Sequence, residues 1–300
     1  MKKFIHNSSL FVLLATIIIT LPVVLMYLKS PDTINTWYYG ENTKKGRIII
    51  VGSSNVYTNY DYIKLNKTFP KYDVIGVSIA ASVGFIPLIT KLNQLQIKST
   101  DIIIFCLPYQ LYDSTYLIRF DNDLALNSVT KNSIINGIKY NSTQTLLNFY
   151  SQNKFSSFYR YIISEKPFEC KATSLKFEKS QSVLLSQNDY INCVKQVDAG
   201  FIVESKKFDK LYLQKFMTSI LNNIEARVFF RFPAIHKGKT TINEEKLTFL
   251  TNNFAFINSF SSSFYDSIFW YDNSYHLNQC GAHLNSSLLI IELQTKLNLK

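Results

Sequence analysis

The sequence predicts an α/β domain built on a parallel sheet, carried behind an N-terminal transmembrane helix and interrupted by a mostly helical insertion. Three observations predict it. Short β-branched runs alternate with helix-length stretches, the pattern of βαβ units with right-handed crossovers. An uncharged apolar run long enough to span a bilayer stands near the N-terminus. Between about Tyr112 and Lys206 the rhythm gives way to a polar and aromatic segment rich in Ser, Asn, Lys, Tyr and Phe. The chain has 300 residues, 47% hydrophobic and 15% aromatic, enough to bury a large core, so a disordered chain is set aside.

Taken in order, the apolar run covers Leu10 to Leu28, preceded by Lys2 and Lys3 and followed by Lys29, Ser30 and Pro31. It exceeds the roughly 7–15 apolar residues of a signal peptide and is followed by no small-x-small cleavage site, so it reads as a signal-anchor, with a cleaved signal peptide as the alternative. The lysines before it hold that end in the cytoplasm, which puts the rest of the chain on the extracytoplasmic side, periplasmic or at the cell surface. Arg47 to Val51, β-branched and bounded by glycines, reads as a buried first strand. Val74 to Ile79 reads as a second strand, Gly84 to Leu95 as a helix, and Asp101 to Leu107 as a third strand stopped by Pro108. After the insertion come a helix near Phe208 to Ala226, a strand at Arg227 to Phe232, a helix near Asn243 to Asn253, a short strand at Phe254 to Ile257 and a last helix from about Gln279. The expected division is an anchor over 1–30, an α/β domain over 40–112 and 207–300, and the insertion over 113–206. Nothing repeats at a fixed period, which excludes a solenoid.

The formal net charge of +11 suggests affinity for anionic surfaces, either phospholipid headgroups or acidic glycans. The lysines are scattered and no nucleic-acid module is present, so nucleic acid is not an expected partner. Cys106, Cys170, Cys193 and Cys280 lack the two-to-four spacing of zinc sites, and no metal or other cofactor is expected. In an oxidising compartment Cys170 and Cys193 are one candidate pair, but the sequence leaves the other connectivities and the reduced state open.

In an open parallel sheet, ligands gather beyond the carboxyl ends of the strands. Gly52-Ser53-Ser54-Asn55 follows the first strand, Gly76-Val77-Ser78 ends the second, Pro108-Tyr109-Gln110 follows the third, and Pro233-Ala234-Ile235-His236 the fourth. The stretch from Tyr271 to Asn278, just before the last helix, arrives at the same edge. A serine becomes a useful nucleophile only with a base in hydrogen-bond reach, a carboxylate orienting that base, and donors for the developing oxyanion. Ser54 is the candidate nucleophile, and Asp272 and His276 supply both partners on one loop. Backbone N–H groups after Ser54, at Asn55, and near Gly76 are candidate oxyanion donors, glycine permitting close approach of a substrate. Alone, a Gly-Ser-Ser-Asn turn is an ordinary strand end and helix cap. Its place after the first strand, together with the late Asp272/His276 pair, gives it weight. Read blandly, His276 is a cap of the last helix. His283 reads as facing solvent or core, and His236 as bordering the pocket without a carboxylate nearby. The aromatic residues of the insertion read as packing, with a lid or sugar-stacking role as the alternative.

These residues resemble the SGNH/GDSL hydrolase superfamily, in particular the membrane-anchored branch found with cell-surface polysaccharide acylation systems such as those of alginate and teichoic acid. Gly52-Ser53-Ser54 resembles the family's Gly-Asp-Ser block, Gly76 its second-block glycine, and Asp272 with His276 its C-terminal Asp-x-x-His block. Leu277-Asn278 and Gly281 resemble the ending that follows that histidine in anchored relatives. The resemblance covers about residues 47–110 and 226–295. It implies a three-layer sandwich with a flavodoxin-like parallel sheet and a Ser54–His276–Asp272 triad. The implied activity is that of a serine esterase or O-acyltransferase working on acyl, in particular acetyl, groups of an extracytoplasmic glycan. A polytopic membrane acyltransferase is the implied partner. Two departures stand out. The family's Asp stands three before its His, where this chain has Asn273, leaving Asp272 on a longer loop or a Ser–His dyad. The third-block Gly-x-Asn is replaced by Leu107-Pro108-Tyr109-Gln110, in which Gln110 carries a suitable amide. That loss sustains a rival reading, a catalytically silent partner of the same fold that binds a glycan or a membrane acyltransferase.

Overall fold

Arg47 to Val51 joins β-branched side chains to flanking glycines, and in the computed structural model it forms the middle of a strand from Gly46 to Gly52 whose residues after Gly46 are all buried. The structure describes residues 2–29, 37–39, 46–78, 84–113, 131–139, 208–222, 224–237, 243–270 and 276–299. Most of the expected insertion therefore lies outside the described residues. In chain order the elements are α1 (Lys2–Lys29), β1 (Trp37–Tyr39), β2 (Gly46–Gly52), α2 (Ser54–Thr58), α3 (Tyr62–Thr68), β3 (Tyr72–Ser78), α4 (Phe85–Gln94) and β4 (Ile102–Cys106). They continue with α5 (131–139), α6 (Lys210–Leu221), β5 (Arg227–Phe230), β6 (Ile235–His236), α7 (Glu244–Asn253), β7 (Phe264–Tyr265) and α8 (Gln279–Leu297).

The main sheet runs β1-β3-β2-β4-β5, with β1 antiparallel to β3 and the other pairings parallel. Because side chains alternate across a strand, the buried strands feed two cores at once. Ile49, Val51, Ile75, Val77, Ile103 and Phe105 face α4, α6 and α7. Ile48, Ile50, Val74, Ile102, Ile104 and Cys106 face α2, α3 and α8. Helix starts follow the local chemistry: Asp61, Asp209, Asn243 and Asn278 each accept a backbone N–H of the first turn with their side chains, satisfying donors that the helix itself cannot.

The register levels the carboxyl ends of the central strands, Gly52 standing opposite both Ser78 and Cys106. At the opposite end of the same strands Arg47 and Asp101 form a buried ion pair. Arg47 Nε donates to Asp101 Oδ1 at 3.1 Å, and its other nitrogens reach the carbonyls of Leu95 and Gln96. Burial raises the Asp101 pKa, but Arg47 and the Lys98 N–H outweigh it and hold the carboxyl below its ordinary value.

Expectation and structure differ in detail. The stretch Phe254 to Ile257 is not a strand of the sheet; it touches β5 through a single Phe230–Phe256 bridge. Sheet pairing along Arg227 to Phe232 stops at Phe230, although Arg231 N–H still donates to the Phe105 carbonyl at 2.8 Å. β6 and β7 add a two-stranded parallel sheet that no sequence pattern announced. Cys106 is free and buried while Cys280 is disulfide-bonded, a bond that the candidate Cys170–Cys193 pairing leaves without a partner; those two cysteines lie outside the described residues. Among the described residues one helix, Asn7–Leu28 within α1, is long and apolar enough to cross a bilayer, with mean hydropathy 2.7.

Candidate active site

The turn between β2 and α2 is set by Gly52. A Cβ there would stand 2.6 Å from Val56 Cγ2 and closer still to the Cys106 carbonyl oxygen, so only glycine lets the strand pass that close to the start of the helix. Asn55 ties the turn to β4. Its Oδ1 accepts from Ser53 N–H (3.1 Å) and Ser53 Oγ (2.6 Å), and its Nδ2 donates to the Cys106 carbonyl at 3.1 Å. Ser54, the first residue of α2, is left part-exposed at the carboxyl edge of the sheet.

His276 comes to it from the other end of the chain. Its Nε2 lies 2.9 Å from Ser54 Oγ, across a sequence separation of 222 residues. The loop on which it sits is held on both sides. Leu277 N–H donates to Asn59 Oδ1 at 2.8 Å, and Leu277 bridges Trp270. Asn278 donates through its N–H to the Phe269 carbonyl and through Nδ2 to that of Ile268, while its Oδ1 caps α8 on Gly281 N–H. A Cβ on Gly281 would stand 2.6 Å from the Phe269 carbonyl, so this packing also needs a glycine.

Beneath Ser54 and His276 runs a buried polar network centred on Arg231, which is 2% exposed. Its Nε donates to Glu292 at 2.6 Å, and its Nη1 donates to the Asn285 side chain at 2.8 Å and to the Tyr60 hydroxyl at 3.1 Å. Asn285 Nδ2 donates to the Asn59 carbonyl, and the Tyr265 hydroxyl to Asn285 Oδ1. The Tyr60 hydroxyl also meets Cys106 Sγ at 3.1 Å. Burial pushes the Cys106 thiol and, further, the Tyr60 phenol above their ordinary values, so both stay neutral. The turn after β4 is pinned by Lys246, whose Nζ donates to Asp113 Oδ1 at 2.6 Å and to the Tyr109 carbonyl at 3.0 Å.

Of the residues singled out from the sequence, Ser54 and His276 are brought together. Asp272 and the side chain of Gln110 lie outside the described residues. Asn55 is buried, with its amide engaged by Ser53 and Cys106. Gly76 lies inside β3, opposite Ile50 and Tyr39, two residues short of the edge; a Cβ there would collide with the Tyr62 hydroxyl. His236 is buried against Trp270, its ring stacked at 5.5 Å, with Nδ1 at the Lys237 carbonyl. His283 is half-exposed between Asp61 and Lys64. Sequence reasoning missed Asn59, Asn285 and Arg231. An arginine inside the apolar run Val228 to Phe232 was the available signal; nothing marked the two asparagines.

Chemically, an imidazole with its proton on Nδ1 can take the Ser54 hydroxyl proton through Nε2 in this geometry. No protein-family model, curated protein or solved structure matches the chain.

Proposed function

We propose that the chain is an SGNH-type serine esterase or O-acyltransferase, held at a membrane by α1 and acting on acyl groups, in particular acetyl, of an extracytoplasmic glycan. The observation that carries this reading is the 2.9 Å contact between His276 Nε2 and Ser54 Oγ at the carboxyl edge of the sheet. The topology supports it. Counted along the chain, the parallel strands lie in the order second, first, third, fourth, with helices on both faces, as in flavodoxin-like doubly wound sheets.

In this mechanism Ser54 Oγ attacks the ester carbonyl as His276 Nε2 takes its proton. The imidazolium then gives that proton to the departing alcohol, leaving the acyl group on Ser54. In the second half His276 deprotonates water or a sugar hydroxyl, whose oxygen attacks the acyl carbon, and Ser54 leaves with the proton. Asp272 is assigned to orient His276 through Nδ1, and Gln110 with backbone N–H groups at the Ser54 turn to bind the oxyanion. A polytopic membrane acyltransferase is the partner this reading expects on the transfer branch.

The test is labelling by a fluorophosphonate together with hydrolysis of a chromogenic acetyl ester. The wild type is expected to label and turn over, Ser54→Ala to do neither, and His276→Ala to lose about 10²–10⁴-fold in kcat. Labelling that survives Ser54→Ala refutes the nucleophile assignment. A wild type that never labels favours the silent binding partner.

A further inference from the structure

We propose that Asn59 is a positioning residue that sets His276 on Ser54 by locking the His276 loop to the end of the nucleophile helix; this rests on the Ser54–His276 reading above. α2 runs only from Ser54 to Thr58, and Asn59 closes it, its N–H donating to the Asn55 carbonyl at 3.0 Å. Five residues of helix rise about 7–8 Å and act as one rigid piece. Asn59 therefore stands at a fixed place relative to Ser54.

From that place it holds the other half of the site. Asn59 Oδ1 accepts Leu277 N–H at 2.8 Å, one residue from His276, and is itself oriented by Thr58 Oγ1 at 2.8 Å. The Asn59 carbonyl accepts Asn285 Nδ2 at 2.8 Å, so the same residue grips α8, into which the His276 loop runs. Asn285 is in turn fixed by Arg231 and the Tyr265 hydroxyl. Asn59 is 1% exposed, so bulk water does not compete for these bonds. In these contacts it touches neither Ser54 Oγ nor the imidazole, and through them it acts on the reaction by geometry. Misplacing a general base by about 1 Å costs on the order of 10²-fold in rate, which sets the expected size of the effect.

The variants are Asn59→Leu, which removes the acceptor, and Asn59→Asp, which keeps an oxygen at the same point. Leu92→Ala, a core truncation on the opposite face of the sheet, controls for stability. Asn59→Leu is expected to lower kcat and the fluorophosphonate labelling rate by about 10²-fold with KM unchanged. Asn59→Asp is expected to recover to within about tenfold of wild type, one decade of rate being the smallest split that separates the variants. Leu92→Ala is expected to lower the Tm yet keep the wild-type labelling rate at temperatures where it is folded. If Asn59→Leu does not fold, Asn59→Ser, whose hydroxyl falls short of Leu277 N–H, carries the same prediction. Wild-type labelling in Asn59→Leu or Asn59→Ser, or an Asn59→Asp protein as slow as the leucine variant, overturns the proposal. With Ser54→Ala unlabelled and the wild type labelled, such a result sinks the Asn59 role alone. Labelling that persists in Ser54→Ala sinks the nucleophile reading instead.

Discussion

At Gly52 an added methyl group has nowhere to go, since Val56 and the Cys106 carbonyl already occupy its place. Gly52→Ala must shift the turn that carries Ser54, so it is expected to cost about 1–3 kcal/mol by urea unfolding and to slow fluorophosphonate labelling as well. Gly76→Ala makes the contrast. Its methyl meets the Tyr62 ring inside the sheet, so stability should fall by a similar amount, about 1–3 kcal/mol, while labelling per folded molecule is unchanged. A labelling defect in folded Gly76→Ala would return that glycine to the oxyanion site. The meeting of Ser54 and His276 was legible because one stands just past a buried strand and the other just before the last helix, two places that reach the same sheet edge. The surroundings of Asn55 and Gly76 were not, because sequence gives neither the direction of an amide nor the level at which a strand meets its neighbours.

Among the elements, α8 depends on charges that have left water. Arg231 and Glu292 are paired at 2.6 Å with little exposure, and Arg231→Met would leave the Glu292 carboxylate without its partner. The expected loss is about 3–5 kcal/mol in urea unfolding, largely regained when Glu292→Leu is added. An additive pair of losses would mean that the two side chains act independently. Element limits were readable along the central sheet and in two helices: β2, β3, β4, α4 and α7 fall within two residues of their expected bounds. β1, β6 and β7 are two or three residues each, too short for alternation to register, and they form only because a neighbouring strand supplies the hydrogen bonds. α2, at five residues, is likewise held by tertiary bonds and not by its own propensity.

For the molecule as a whole, acid and oxidation are the informative perturbations. Asp101 has a lowered pKa in the folded state, so it contributes stability above its ordinary value of 3.8 that is lost as pH falls below it. The wild-type Tm should therefore drop more steeply between about pH 5 and pH 3 than that of Asp101→Asn, which starts lower and runs flatter. Alkylation in denaturant without reductant should modify Cys106 and spare Cys280; a modified Cys280 would contradict its disulfide. The sheet at this scale followed from alternating runs, whereas no periodicity in 113–206 said how that segment meets the rest. The edge pairing of β1 has one more result. Trp37 stands level with Ser78, and Ser78 with Gly52, so the chain arriving from α1 enters the sheet on the rim that holds Ser54. The eight peptide steps from Lys29 to Trp37 reach at most about 29 Å. In the proposed reading, where α1 stays in a membrane layer, Ser54 works on a leash a few nanometres long. Molecules confined to that layer meet it at a high effective concentration, while those in free solution gain nothing from the tether.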